Sequence, residues 1–298
     1  MTTTETASPR FIEIDDWPVG DLVEGILEGQ FAAIAAARAA SPSIARAIEA
    51  STIRLRAGGR LIYVGAGTSG RVAAQDAAEL PPTFGWPAER AVPVMAGGER
   101  ALLRSVEGAE DDDEAARAAL RDLGVDANDV VVALAASGRT PFAVGALEQA
   151  RSVGALAIGI FNNSDSRLEK ASDIGILLDT GSEFVAGSTR MKAGTAQKAA
   201  LNCLSTCIMI QLGLVYRGKM VEMRPRNEKL GERAVEMLAD FANCDKAMAR
   251  AALHTAGGSI KLATIMLCKS VPVAKANSLL HQAGGKLREA LKPKSESN

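Results

Sequence analysis

Between residues 59 and 180 the chain alternates short apolar runs with stretches of helical spacing. The apolar runs fall at 61–64, 91–95, 130–135, 156–161 and 174–178, and helical stretches fit between them at 72–79, 101–123 and 141–153. Strands spaced by helices predict βαβ units, and so an α/β fold with a five-stranded parallel sheet flanked by helices. Upstream, 19–40 and 44–56 read as two helices divided at Ser41-Pro42, a helix-start pair, and 2–9 as a loose arm. Downstream, 191–216 reads as one long helix with Ser188-Thr189 as its N-cap. Beyond Pro225 the pattern is wholly helical, at 228–243, 246–254, 259–270, 272–282 and 286–291, with turns at Gly257-Gly258 and Gly284-Gly285 and a polar, frayed tail from Lys292. Three parts are expected: an N-terminal arm and helices (1–57), the sheet domain (58–226) and a small C-terminal helical subdomain (227–298).

Ligands of parallel sheets sit beyond the carboxyl ends of the strands. That end of the first run is Gly65-Ala66-Gly67-Thr68-Ser69-Gly70-Arg71, and that end of the third is Ala136-Ser137-Gly138-Arg139-Thr140-Pro141. Strand, Gly/Ser/Thr turn, helix start is the geometry that offers backbone N–H groups and hydroxyls to a phosphate. A single such turn is as often a plain tight turn as an anion site; two in one sheet say more.

Composition narrows the class. At 298 residues, 47% hydrophobic and 23% charged, the chain is that of a soluble globular protein. Net charge of −1 and 4% aromatic residues give no field and no stacking platform for nucleic acid, and no pull toward a membrane. The charge-free stretch 199–216 includes Asn202, Ser205, Thr206 and Gln211, so a buried or interface helix is expected rather than a span. The four cysteines form no CxxC, and with two distant histidines they provide no metal set; buried or incidental thiols in a reducing compartment are expected. The acidic N-terminus has no apolar core of the kind a signal peptide needs.

There is no GxSxG elbow, no P-loop lysine and no HExxH, and histidine is too scarce for a triad near the turns. Carboxylates are left as acid and base. Glu79 precedes Pro81-Pro82, where a solvated helix end is the ordinary reading. Glu107 and Glu110 lie in an acidic run that serves equally as a solvated face or a helix N-terminus. Glu183 lies just before the Ser188-Thr189 turn and could face the same cleft; Lys192 could meet a phosphate or simply be solvated.

The motifs Gly59 to Gly98, Val106-Glu107-Gly108-Ala109-Glu110-Asp111, Ala135 to Pro141, Gly187 to Lys198 and Asn227-Glu228-Lys229-Leu230 resemble those of the N-acetylmuramic acid 6-phosphate etherases, relatives of the glucokinase regulatory protein. The resemblance implies a sugar isomerase (SIS) fold, a homodimer in the cytoplasm, a phosphosugar substrate and no metal or organic cofactor. It implies cleavage of the D-lactyl ether at C3 of N-acetylmuramic acid 6-phosphate, by elimination and then addition of water. By position, Glu79 would protonate departing lactate and Glu110 would remove the C2 proton. Ser69, with Thr68 and Gly70, and Ser137, with Gly138 and Thr140, would bind the 6-phosphate. Glu183, Ser188, Thr189 and Lys192 would be pocket neighbours.

An alkoxide leaves poorly without a proton donor, and C2–H becomes acidic once the ring opens to an aldehyde, so two carboxylates suit the reaction. The acid has to hold its proton near neutral pH, which burial or a nearby negative charge provides. The family's N-terminal Thr-Glu-x-x-Asn appears as Thr4-Glu5-Thr6-Ala7-Ser8, and a later serine as Phe11; Ala78 and Leu80 flank Glu79 in place of Ser and Cys. A non-catalytic phosphosugar regulator and a phosphosugar isomerase are the alternatives. Ten residues separate Ser69 from Glu79, about 15 Å along a continuous helix. Either Glu79 turns back at Pro81-Pro82, or it serves the cleft of a partner subunit.

Overall fold

The computed structural model describes residues 3–223 and 228–293. Asn227 of the last motif, the expected 226/227 boundary and the tail from Lys294 lie outside the described residues. The described residues form two compact units. One comprises the residues up to Glu79 together with Ala88–Ile208; the other comprises Leu80–Pro87 and the chain from Met209.

In the first unit, helices α1 (Val19–Ala39) and α2 (Ser41–Arg56) precede β1 (Leu61–Gly65), α3 (Gly67–Phe84), β2 (Ala91–Met95), α4 (Arg100–Leu103), α5 (Asp113–Asp122), β3 (Val130–Ala135), α6 (Pro141–Ser152), β4 (Leu156–Phe161), α7 (Arg167–Ala171) and β5 (Ile174–Leu177). The five strands are parallel in the order β2-β1-β3-β4-β5, with Leu61 opposite both Ala91 and Val130, Val130 opposite Leu156 and Ile158 opposite Ile174. The central strands β1, β3 and β4 are buried at every position, as apolar runs covered on both faces must be. Pro93, which has no N–H to donate, sits on the edge strand β2. Ile62, Val64, Val131, Ala133, Leu120, Phe142, Leu147 and Phe161 join one core cluster.

At the amino ends of β1 and β3 the Arg60 guanidinium pairs with Asp129 at 2.6 Å, and the Arg60 N–H donates to the same carboxylate at 2.8 Å. Burial alone would raise the Asp129 pKa; these hydrogen bonds hold it below the ordinary value. Charge pairing thus fastens one end of the sheet and leaves the carboxyl end for chemistry.

Three expected elements differ. The expected helix over 101–123 is broken: Gly108 takes φ +72°, a short 3₁₀ turn spans Ala109–Asp111, and Asp112 caps α5 by accepting from the Ala115 N–H at 2.8 Å. The long helix α8 (Lys192–Gln211) stops before Gly213, whose φ is +85°, and a hairpin of β6 (Val215–Tyr216) and β7 (Lys219–Met220) follows. The arm is docked rather than loose. Thr4 is fully buried, and Phe11 packs on Phe184 with ring centres 4.7 Å apart, with Trp17 against both.

The second unit carries that hairpin and helices α9 (Glu228–Ala242), α10 (Lys246–Thr255), α11 (Ile260–Lys269), α12 (Val273–Gln282) and α13 (Leu287–Leu291) around one apolar cluster. Among the described residues no single helix is long and apolar enough to cross a membrane. The four thiols are free, and none is fully buried: Cys203 and Cys268 are exposed. Along α1, Val19, Val23, Leu27, Phe31 and Ile34 recur at helical spacing and are all exposed, Phe31 at 79%.

Candidate active site

The strand order reverses direction between β1 and β3, and such a switch point opens a crevice beyond the strand ends. The two Gly/Ser/Thr turns leave from those two strands. Between them lies a cavity of about 390 Å³. Thr68 and Ser69 line it from the first turn of α3, and Ser137, Thr140 and Pro141 from the start of α6. Two helix N-termini therefore present hydroxyls and positive dipole ends to one space. The Thr140 side chain makes no capping bond, which leaves its hydroxyl for a ligand.

Close backbone packing makes the first turn. A methyl group added at Gly65 would lie 2.8 Å from Gly70 Cα, and one at Gly70 would lie 2.6 Å from the Gly65 oxygen. Gly70 is therefore required where α3 meets β1 and is not part of the cavity lining. Gly138 plays a similar part in the second turn: its φ is +67°, and it packs on Ser166.

Glu110 reaches the cavity from the short 3₁₀ turn that follows the left-handed Gly108. Within its acidic run Asp112 caps α5 and Asp113 lies 3.6 Å from Arg117, while Glu110 and Asp111 stand on the cavity wall. Thr189 also lines the cavity.

The other expected residues lie elsewhere. Glu183 is fully buried, and its two oxygens accept the Lys192 and Ala193 N–H groups at 3.0 and 2.9 Å. It caps α8, the role expected of Ser188-Thr189, and is not part of the cavity lining. Ser188 is half-buried and does not line the cavity. The Lys192 side chain lies along Gly29 and lines a separate groove with Phe11 and Phe184.

Glu79 is exposed, is not part of the cavity lining, and accepts from Gln75 Nε2 at 3.1 Å. Helix α3 runs unbroken through Pro81 and Pro82, so the expected turn back does not occur. The prolines only deprive the Ala77 and Ala78 carbonyls of their usual donors. One turn before Glu79, Asp76 is buried and accepts from Tyr63 Oη at 2.9 Å, Asn202 Nδ2 at 2.7 Å and Ser205 Oγ at 3.1 Å. Burial raises the Asp76 carboxyl above its ordinary pKa, against the opposite pull of these three donors. Gln75, Asp76, Glu79, Lys198 and Asn202 share a shallow cleft.

Three charged cavity residues were absent from the expected set: Glu5, Asp111 and Arg139. Glu5 arrives with the arm. Asn163 Nδ2 donates to Thr4 Oγ1 at 3.0 Å and to the Ala136 carbonyl at 2.8 Å, and the Gly187 N–H donates to the Thr4 carbonyl at 3.0 Å. The arm is thereby tied to the loops on both sides of the cavity. The Thr4-Glu5 pair within the N-terminal motif was the available signal.

Residues 43–151 match the glucokinase regulatory protein N-terminal SIS domain, and residues 113–206 match the SIS domain. A phosphoheptose isomerase structure from Francisella tularensis is 19% identical, covering 64% of this chain and 98% of that chain, with a TM-score of 0.49. An N-acetylmuramic acid 6-phosphate etherase of Deinococcus radiodurans is 45% identical over 97% of this chain and 94% of its own length. One of Streptomyces coelicolor is 46% identical over 97% of this chain and 93% of its own length. The fold is thus an SIS fold, and the chain belongs to the N-acetylmuramic acid 6-phosphate etherase family.

Proposed function

We propose that the protein cleaves the ether between D-lactate and C3 of N-acetylmuramic acid 6-phosphate, giving N-acetylglucosamine 6-phosphate and D-lactate, in cytoplasmic recycling of cell-wall sugars. The observation that carries this reading is the single cavity in which Glu110 faces the hydroxyls of two helix N-termini. The 6-phosphate binds Thr68, Ser69, Ser137 and Thr140, and Arg139 on the same wall adds a full positive charge. With one end of the sugar fixed, the open-chain aldehyde presents C2 to Glu110.

Glu110 takes the C2 proton, and the electrons of that bond form the C2=C3 double bond as the C3–O bond breaks. Glu79 gives its proton to the departing lactate oxygen. Water then adds its oxygen to C3 as it gives a proton to the ionised Glu79, which restores the acid, and C2 regains from Glu110 a proton that has exchanged with solvent. Because Glu79 stands outside the cavity of its own subunit, we assign it to the cavity of a partner subunit. The exposed apolar stripe of α1 supports self-association, since a patch of that kind is seldom left in water.

The test is release of D-lactate from N-acetylmuramic acid 6-phosphate by the purified protein. Lactate formed together with N-acetylglucosamine 6-phosphate supports the reading. Tight binding of the phosphosugar without lactate would leave the non-catalytic regulator in its place.

A further inference from the structure

A second cavity, of about 240 Å³, adjoins the first. The two share Ala66, Gly67 and Glu110, so Glu110 stands on the wall between them. The first opens beyond β1 and β3; the second opens beyond β1 and β2, under Met95 and Ala96 and the segment that carries Ser105 and Val106. Its cation is Arg71, half-buried at the fifth residue of α3. Arg71 Nε donates to the Leu102 carbonyl at 3.1 Å, and among the described residues its guanidinium makes no ion pair. One N–H edge is thus spent on holding the fork, and the remaining donors are left without a carboxylate of the protein.

We infer that this second cavity is a carboxylate subsite, in which Arg71 binds the carboxylate of the group attached at C3. The inference rests on the function proposed above. A sugar anchored by its phosphate in the first cavity, with C2 at Glu110, has C3 directed to the far side of Glu110. Its lactyl arm then enters the Arg71 cavity. A guanidinium fork matches a carboxylate in two-pronged geometry, and a partly desolvated one binds it more strongly than an exposed one does. The subsite distinguishes the ether substrate from the product sugar, which carries the same phosphate and no carboxylate. Glu107 lines the same cavity and, like Glu110, keeps out anions that Arg71 does not meet directly.

One assay tests this, by following D-lactate release and its competitive inhibition by N-acetylglucosamine 6-phosphate. Arg71→Met is expected to raise KM for N-acetylmuramic acid 6-phosphate about ten- to a hundredfold, the size of a lost charge-assisted hydrogen bond, with Ki for the product sugar within about twofold of wild type. Arg71→Lys should recover part of the KM. An unchanged KM overturns the inference. So does an equal rise in KM and Ki, which would make Arg71 a brace for the Leu102 segment. If Arg71→Met does not fold, Arg71→Gln, which keeps a donor for the Leu102 carbonyl, is read in the same way. Wild-type protein that releases no lactate overturns the proposed function and this inference together; active wild type with unaffected Arg71 variants overturns the inference alone.

Discussion

Ser69 and Glu79 stand on the same unbroken helix α3, ten residues and about 15 Å apart. That is farther than a sugar spans from its 6-phosphate to C3, so a phosphate held at Ser69 and an ether oxygen at Glu79 of one subunit do not fit a single substrate. In a two-fold dimer each site would combine Ser69 and Glu110 of one subunit with Glu79 of the other. Mixing Glu79→Gln and Glu110→Gln subunits then rebuilds one intact site in each hybrid. Exchanged in equal amounts, two inactive variants should recover about a quarter of the wild-type rate, since half the dimers are hybrids with one good site each. No recovery, in a mixture shown to contain hybrids, would return Glu79 to its own subunit.

The sheet was legible because five apolar runs carry the strands almost residue for residue, and the central ones have no polar position to obscure them. The cavity between the two turns was legible for a related reason. Thr68, Ser69, Ser137 and Thr140 follow strands β1 and β3, which lie side by side at the switch point. Residues whose roles depend on distant chain were not legible. Glu183 reads as a cleft carboxylate until α8 places two N–H groups on it. Glu5 lies in a polar arm with no periodicity, and the contacts of Thr4 with Asn163 and Gly187, both more than 150 residues away, bring it to the cavity. The helix expected at 101–123 failed between Arg104, whose backbone is extended, and Asp112, with Gly108 left-handed between them.

Glu183 should act on stability rather than on substrate. Glu183→Ala leaves the Lys192 and Ala193 N–H groups buried without partners, at a cost of roughly 2–4 kcal/mol. In a chain of this size that corresponds to a fall in Tm of about 3–6 °C. Glu183→Gln keeps one acceptor and should fall between Ala and wild type. Thermal denaturation checks the order, and product-sugar binding by the folded variants should stay close to wild type. A large loss of binding with unchanged Tm would put Glu183 back among the ligand residues.

Two buried aspartates should give opposite pH dependence. The Asp76 carboxyl holds its proton more tightly in the folded state than in the unfolded chain, so its contribution to stability is full at low pH and is lost as pH rises through the folded pKa. Asp129 is held below its ordinary value, so its contribution is present at neutral pH and is lost as pH falls through the folded pKa. Urea unfolding between about pH 3 and 7 reads both. Relative to wild type, Asp76→Asn should gain stability as pH rises from about 4, where the unfolded carboxyl ionises. Asp129→Asn should lose ground to wild type over the lower part of the range. Parallel curves for the two variants would contradict the assignment.

The most direct measurement is NMR of the reaction in D₂O. Wild-type protein given N-acetylmuramic acid 6-phosphate should release D-lactate and leave N-acetylglucosamine 6-phosphate with deuterium at C2. Glu110→Gln should lose both lactate and exchange, by about 10²–10⁴-fold, while Glu79→Gln should lose lactate to a similar extent and keep exchange at C2. Lactate released with protium still at C2, or no lactate at all, would contradict elimination at this cavity.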